Sequence, residues 1–95
     1  MRLRFEGPIW YWRGPAPYHF VTVPPAEAAA IAEVAPVVTY GWGMIPAAVT
    51  VGATRVTTSL WPKDGAYVVP IKKVLQDAEH LDVDDIVTLE LEIDA

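Results

Sequence analysis

The order of elements around two prolines constrains the fold of this chain more than any single residue does. Phe20-Val21-Thr22-Val23-Pro24, followed by a helical stretch and a strand, recurs as Tyr67-Val68-Val69-Pro70, followed by a shorter helical stretch and a strand, with the two prolines 46 positions apart. Each copy is preceded by an extended segment and a proline-bearing turn: Leu3 to Trp12 with Pro15 and Pro17 in the first, Arg55 to Leu60 with Pro62 in the second. Proline has no N–H to give to a ladder, so it closes a strand and suits the first turn of a helix. An order of strand, turn, strand-Pro, helix, strand, used twice, closes a barrel by pseudo-twofold symmetry. It predicts a mainly β fold with one main helix, six to eight strands in a closed or nearly closed small barrel, and duplication within the chain.

Local patterns fill in the elements. Val87, Leu89, Leu91 and Ile93 alternate with Thr88, Glu90, Glu92 and Asp94, the period-2 signature of a strand with one wet face. Leu3 and Phe5 do the same against Arg2, Arg4 and Glu6, and His19 to Val23 is another strand, ended by Pro24. Pro25 to Val34 reads as the one long helix, with proline near its first position and alanine supplying propensity. The stretch from Val37 to Val51 is interrupted by Gly41, Gly43 and Pro46, with a strand from Ala47 to Val51. In Leu60-Trp61-Pro62-Lys63-Asp64-Gly65-Ala66-Tyr67, Pro62 fits the second position of a type I turn and Gly65 the positive φ at its exit, which predicts a hairpin. Lys72 to Ala78 then gives about two helical turns, and Asp84-Asp85 leads into the last strand.

At 95 residues and 53% apolar composition the chain is sized for a single β-barrel domain spanning 1–95. Without cysteine there is no disulfide framework, thiolate nucleophile or Cys-based zinc site. Cytoplasmic residence is expected, because the N-terminus has no apolar leader run and no apolar run approaches the ~20 residues that cross a bilayer. The net charge of -5, with acids crowded into the last third, argues against nucleic acid, whose phosphates need a basic face. A local basic patch survives, since Lys63, Lys72, Lys73 and Arg55 share one neighbourhood.

Few residues carry chemistry. Thr58 and Ser59 with Lys72 and Lys73 offer an anion cradle of hydroxyls, ammonium groups and helix-opening amides; the alternative is that the hydroxyls satisfy strand edges and the lysines are solvated. Ser59 lacks a neighbouring base and a Gly-x-Ser-x-Gly elbow, which leaves no nucleophile, and no paired acid and base suggests an enzyme. His19 and His80 stand apart, without metal-ligand spacing, and Asp82, Asp84 and Asp85 read as turn residues, so neither a metal nor a cofactor is expected. Trp10-Tyr11-Trp12, Tyr18, Trp42, Trp61 and Tyr67 are many aromatics for so small a domain; alternation must send Tyr11 to the face opposite Trp10 and Trp12, leaving at least one of the three at solvent or an interface. Two glycines around Trp42 suit a tight backbone that presents an aromatic, and place Trp42 in the ligand-binding set with Thr58, Ser59, Lys72 and Lys73.

The second half, Tyr67-Val68-Val69-Pro70-Ile71, the following short helix and Val83-Asp84-Asp85-Ile86-Val87, resembles the half-barrel unit of AbrB/MazE-type proteins. Phe5-Glu6-Gly7, Phe20 to Pro24, Gly41-Trp42-Gly43-Met44-Ile45-Pro46, Val51-Gly52, Thr58 to Pro62, Gly65-Ala66-Tyr67 and Pro70 to Lys73 together resemble a family of small prokaryotic domains of unknown function. That likeness implies a duplicated, single-chain double-split β-barrel of a kind often fused to OmpD-associated or bacteriocin-protection segments. It departs at Asp84-Asp85, where the half-barrel pattern has Gly-Asp, placing a non-glycine at a possible left-handed position. The expected function is non-enzymatic binding of a small ligand, an anion or a protein partner by a monomer or weak homodimer. The alternatives are an AbrB/MazE-like DNA-binding regulator, which the charge disfavours, and an enzyme of unassigned reaction.

Overall fold

In the computed structural model, residues 1–14 and 18–95 are described; the Pro15 and Pro17 turn lies outside them. The elements are β1 (Arg2–Pro8), β2 (Trp10–Trp12), β3 (Tyr18–Thr22), α1 (Pro25–Val38), β4 (Ile45–Val51), β5 (Thr54–Lys63), β6 (Ala66–Pro70), α2 (Lys73–Glu79) and β7 (Ile86–Glu92). The seven strands form one antiparallel sheet in the order β1-β7-β4-β5-β6-β3-β2, curled into a half-barrel.

Two long strands make the curl. β5 pairs with β4 over Thr54 to Leu60 and then with β6 over Trp61 to Lys63, so it passes from one side of the fold to the other. The β1–β2 run does the same through Ile9, pairing first with β7 and then with β3. The two ends of the sheet, β1 and β2, are thus joined by the chain itself, and among the described residues no ladder zips them together. Where the sequence predicts a closed or nearly closed barrel, the structure has a curled half-barrel sheet whose two ends are linked by the chain.

One face of the curl holds the core, where period-2 alternation has placed it: Phe5, Val21, Val49, Val69, Leu89 and Leu91 point inward with Ile31 of α1 and Leu75 of α2. α1 begins as expected, with Pro24 as N-cap and Pro25 in the first turn, but runs past Val34 to Val38. Pro36 fails to stop it because it sits in the last turn, where it forfeits one backbone bond while Ala35 still accepts from the Thr39 N–H at 2.9 Å.

The β5–β6 hairpin corrects the turn expected from Pro62. Pro62 lies inside β5, opposite Tyr67, and the turn is Asp64-Gly65, with φ of 51° and 77°. Positive φ at both central residues is the type I′ geometry, whose twist matches that of the flanking strands, and Asp-Gly is a sequence that favours it. The same tolerance appears before β7, where Asp84 takes φ 74° at the position the half-barrel pattern gives to glycine, and the Asp85 carboxylate accepts from the Asp82 N–H at 2.9 Å.

α2 lies against the edge of β5 that β4 leaves unpaired. Lys72 Nζ donates to the Thr57 carbonyl at 2.8 Å, Thr54 Oγ1 donates to Glu79 Oε2 at 2.6 Å, and Leu75 anchors the helix in the core. Such cover protects an edge strand from pairing with another chain. Among the described residues no helix is long and apolar enough to cross a membrane.

Candidate functional site

The face of β1, β7, β4 and β5 turned away from the core carries two polar rows, fixed by the ladder registers. One reads Arg2, Glu92, Ala48, Thr57; the next reads Arg4, Glu90, Thr50, Arg55. Ala48 is the only residue of the eight with no side chain beyond Cβ, so the surface dips above it. The hollow is a cleft of about 440 Å³ whose lining includes Arg2, Ala48, Arg55, Thr57, Thr58 and Glu92.

Cations converge on the one carboxylate in the cleft's first row. Arg55 Nη1 lies 2.7 Å from Glu92 Oε2, and Arg2 Nη2 lies 3.9 Å from the same oxygen. The hydrogen bond from Arg55 and then its charge, with Arg2 adding to them, hold the Glu92 carboxyl below its ordinary 4.5. The lining is mixed in charge, since Asp94 as well as Glu92 stands beside Arg2 and Arg55. In the neighbouring row Arg4 and Glu90 face each other at 4.0 Å, an exposed pair of small energetic weight.

The residues singled out by sequence fall around this cleft at different distances. Thr58 lines it. Lys72 is not among the residues that line it; its Nζ is held by the Thr57 carbonyl on the β5 edge that α2 covers. Ser59 shares the outward face of β5 with Arg55 and Thr57, opposite Pro46, but its hydroxyl is hydrogen-bonded to Tyr40 Oη. Lys73 turns back along its own helix to Asp77, at 3.3 Å. Trp42 stands apart on the Tyr40–Met44 turn, 96% exposed. That turn is closed by two backbone bonds, Tyr40 N–H to Met44 O at 2.9 Å and the reverse at 3.0 Å, with Gly41 and Gly43 at φ 57° and 86°.

The other aromatics divide as alternation requires. Tyr11 is 41% exposed, while Trp10, Trp12, Tyr18 and Trp61 gather around Phe20 with ring centroids 4.9–6.3 Å apart, an aromatic layer on the outer side of β2, β3 and β5. These rings pack on one another at tilted and edge-to-face angles. Among the described residues no group of three or more potential metal-ligating side chains comes together. Sequence reasoning placed Arg55 in the basic neighbourhood but missed Arg2 and Glu92, because their meeting depends on β7 lying between β1 and β4. Alternation in β1 and β7 identified their outward faces; the strand order that joins them had no local signal.

No curated protein matches the chain. A family model described as a domain of unknown function, DUF1905, matches residues 5–91, from within β1 to within β7 and therefore across both long crossing strands and both helices. The chain belongs to the DUF1905 family.

Proposed function

We propose that this domain is a non-enzymatic binding module for a small anion, a carboxylate or phosphate group, held in the cleft above Ala48 by Arg2 and Arg55 with Thr57 and Thr58 at its edge. The observation that carries this reading is the Glu92 carboxylate: two guanidinium groups already gather an anion there and lower its proton affinity. Arg offers a planar fork of donors, so Arg55 can bind Glu92 and still present N–H groups to a second oxyanion. The cleft lies within the size range of small-molecule sites.

The test is a thermal-shift series with phosphate, sulfate and acetate at constant ionic strength on the wild type, Arg55→Ala and Ala48→Glu. Ala48→Glu leaves every cation in place and fills the hollow with a carboxylate, so both variants are expected to lose the stabilisation that the wild type gains. Equal shifts in all three proteins would mean that the anions act on the surface at large, and the site would be abandoned.

We also infer that the fold is a double-split barrel duplicated within the chain, and the pairing registers support this. Carrying β1–β2 onto β5, β7 onto β4 and β3 onto β6, each at one constant offset, takes Arg2–Glu92 to Arg55–Thr50, Phe5–Leu89 to Thr58–Ala47, Gly7–Val87 to Leu60–Ile45 and Trp10–Phe20 to Lys63–Ala66, every one a pair of the second ladder. The implied axis runs through Val49–Leu91 and Thr22–Val68, which makes Arg2 and Arg55 equivalent residues of the two halves. A crystal structure in which a half-turn about that axis fails to lay β4 on β7 would end the duplication reading.

A second reading rests on Trp42, whose indole is fully presented on a hydrogen-bonded turn. Tryptophan is enriched among residues that dominate protein–protein binding energies, and an exposed one on a fixed backbone loses little conformational freedom on docking. It favours a protein partner on that side of the molecule.

A further inference from the structure

We propose that the partner of Trp42 is a second copy of this chain: the indole of each protomer seats in the apolar groove between α1 and the β5–β6 hairpin of the other. The inference rests on the reading of Trp42 as a docking residue.

Both halves of the contact belong to one face. The groove has a volume of about 600 Å³; its walls include Val23, Ala28, Ala29, Ala32, Pro62 and Tyr67, and none of the residues lining it is charged. Three alanines on one side of α1 leave the space that a larger residue would have filled. The Trp42 turn abuts the rim, since a Cβ added at Gly43 would lie 3.3 Å from Pro62 Cγ. A projection and a hollow side by side on one surface can be exchanged about a twofold axis, giving a closed dimer. Had they lain on unrelated faces, the contact would propagate into chains.

Charge and area both favour this occupant. Two chains of net charge -5 repel in general, so self-pairing must use an uncharged surface. The groove and the Tyr40–Met44 turn provide one, whereas Glu90 and Glu92 lie on the outer face of the β1-β7-β4-β5 part of the sheet. Each inserted indole removes roughly 150–250 Å² of its own surface and a similar area of wall, so two insertions bury about 600–1,000 Å². Half-exposed Tyr40 and exposed Val37 add a rim. The total approaches the lower end of stable interfaces, about 1,200 Å², which predicts a dimer of roughly micromolar affinity or weaker.

Sedimentation equilibrium up to roughly 1 mM protein tests the exchange. The wild type is expected to gain mass with concentration. Trp42→Ala removes the projection, and Ala29→Glu places a carboxylate in the groove from an exposed helical position that keeps the fold; each alone is expected to remain monomeric. An equimolar mixture of the two variants retains one projection and one hollow per pair, so it should associate more than either variant and less than the wild type. A monomeric wild type, a variant that associates as the wild type does, or a mixture no better than its components would each overturn self-pairing. Indole titrated onto Trp42→Ala and followed by NMR separates the two inferences. Perturbation at Ala29 and Tyr67 beside a monomeric wild type removes only the second copy as occupant; no perturbation there removes the groove as a docking site as well.

Discussion

Replacing Gly52 with alanine tests how the β4–β5 hairpin and α2 hold each other. Gly52 and Ala53 link Val51 to Thr54, and of the two linking residues only Gly52 has a positive φ, 57°. That pattern fits a type II′ turn, in which glycine occupies the first central position. An alanine there costs about 1–2 kcal/mol in backbone strain. A second cost follows from packing, because the added Cβ would collide with Glu79 Oε1, and the side chain must withdraw. Withdrawal breaks the bond from Thr54 Oγ1 to Glu79, a hydrogen bond to a charged group worth about 1.5–3 kcal/mol. The sum, about 2.5–5 kcal/mol, lowers the melting temperature of a domain this size by at least ~10 °C. Urea denaturation of the wild type, Gly52→Ala, Glu79→Ala and the double variant separates the terms: once Glu79 is gone, Gly52→Ala should cost only its backbone part, leaving a coupling of about 1 kcal/mol or more. A Gly52→Ala protein within about 0.5 kcal/mol of the wild type, or strict additivity in the cycle, would refute the argument.

Leu75 is fully buried and is the one buried residue of α2, so Leu75→Ala is expected to cost about 2–5 kcal/mol by urea denaturation and to speed amide exchange along β5, whose edge the helix covers. Because the folded-state pKa of Glu92 is lowered, its contribution to stability is fully present above the ordinary 4.5 and is lost as pH falls through the lowered value; thermal melts from neutral pH to below 4.5 should show that loss in the wild type and a weaker pH dependence in Arg55→Ala.

Period-2 alternation made the strand faces legible, and the prolines made the order of elements legible. Val87 to Ile93 points inward at every second residue as its pattern requires, and Tyr11 emerges opposite Trp10 and Trp12 for the same reason. Turn chemistry was harder to read. Pro62 drew the hairpin turn two residues too early because proline fits a type I turn, while the energetically better Asp64-Gly65 I′ turn lets β5 continue through Pro62 to Lys63. α1 outran its expected end because a proline in a last turn forfeits only one bond. The cleft was the least legible part. Thr58 and Ser59 look like a pair in sequence, yet a strand separates their hydroxyls by face, whereas Arg2 and Arg55, far apart in the chain, meet at Glu92 across strands whose order no local pattern encodes.

The two outward rows of the sheet differ, and that difference makes the cleft. Inward positions are constrained by packing, so Val49 and Leu91 lie at the centre of one ladder as interchangeable aliphatic residues. Outward positions carry no such constraint. In the row of Arg4, Glu90, Thr50 and Arg55, the place that the proposed duplication makes equivalent to Ala48 is taken by Glu90, whose carboxylate occupies the space beside Arg4. In the row of Arg2, Glu92, Ala48 and Thr57 the same place ends at a methyl group, and a hollow flanked by two guanidinium groups remains. A fold stabilised by its inner rows alone needs no such hollow, and every cation beside it is exposed and contributes little to stability. An arrangement that keeps Arg2 and Arg55 around a cavity while their charges do little for the fold is what the proposed anion site requires.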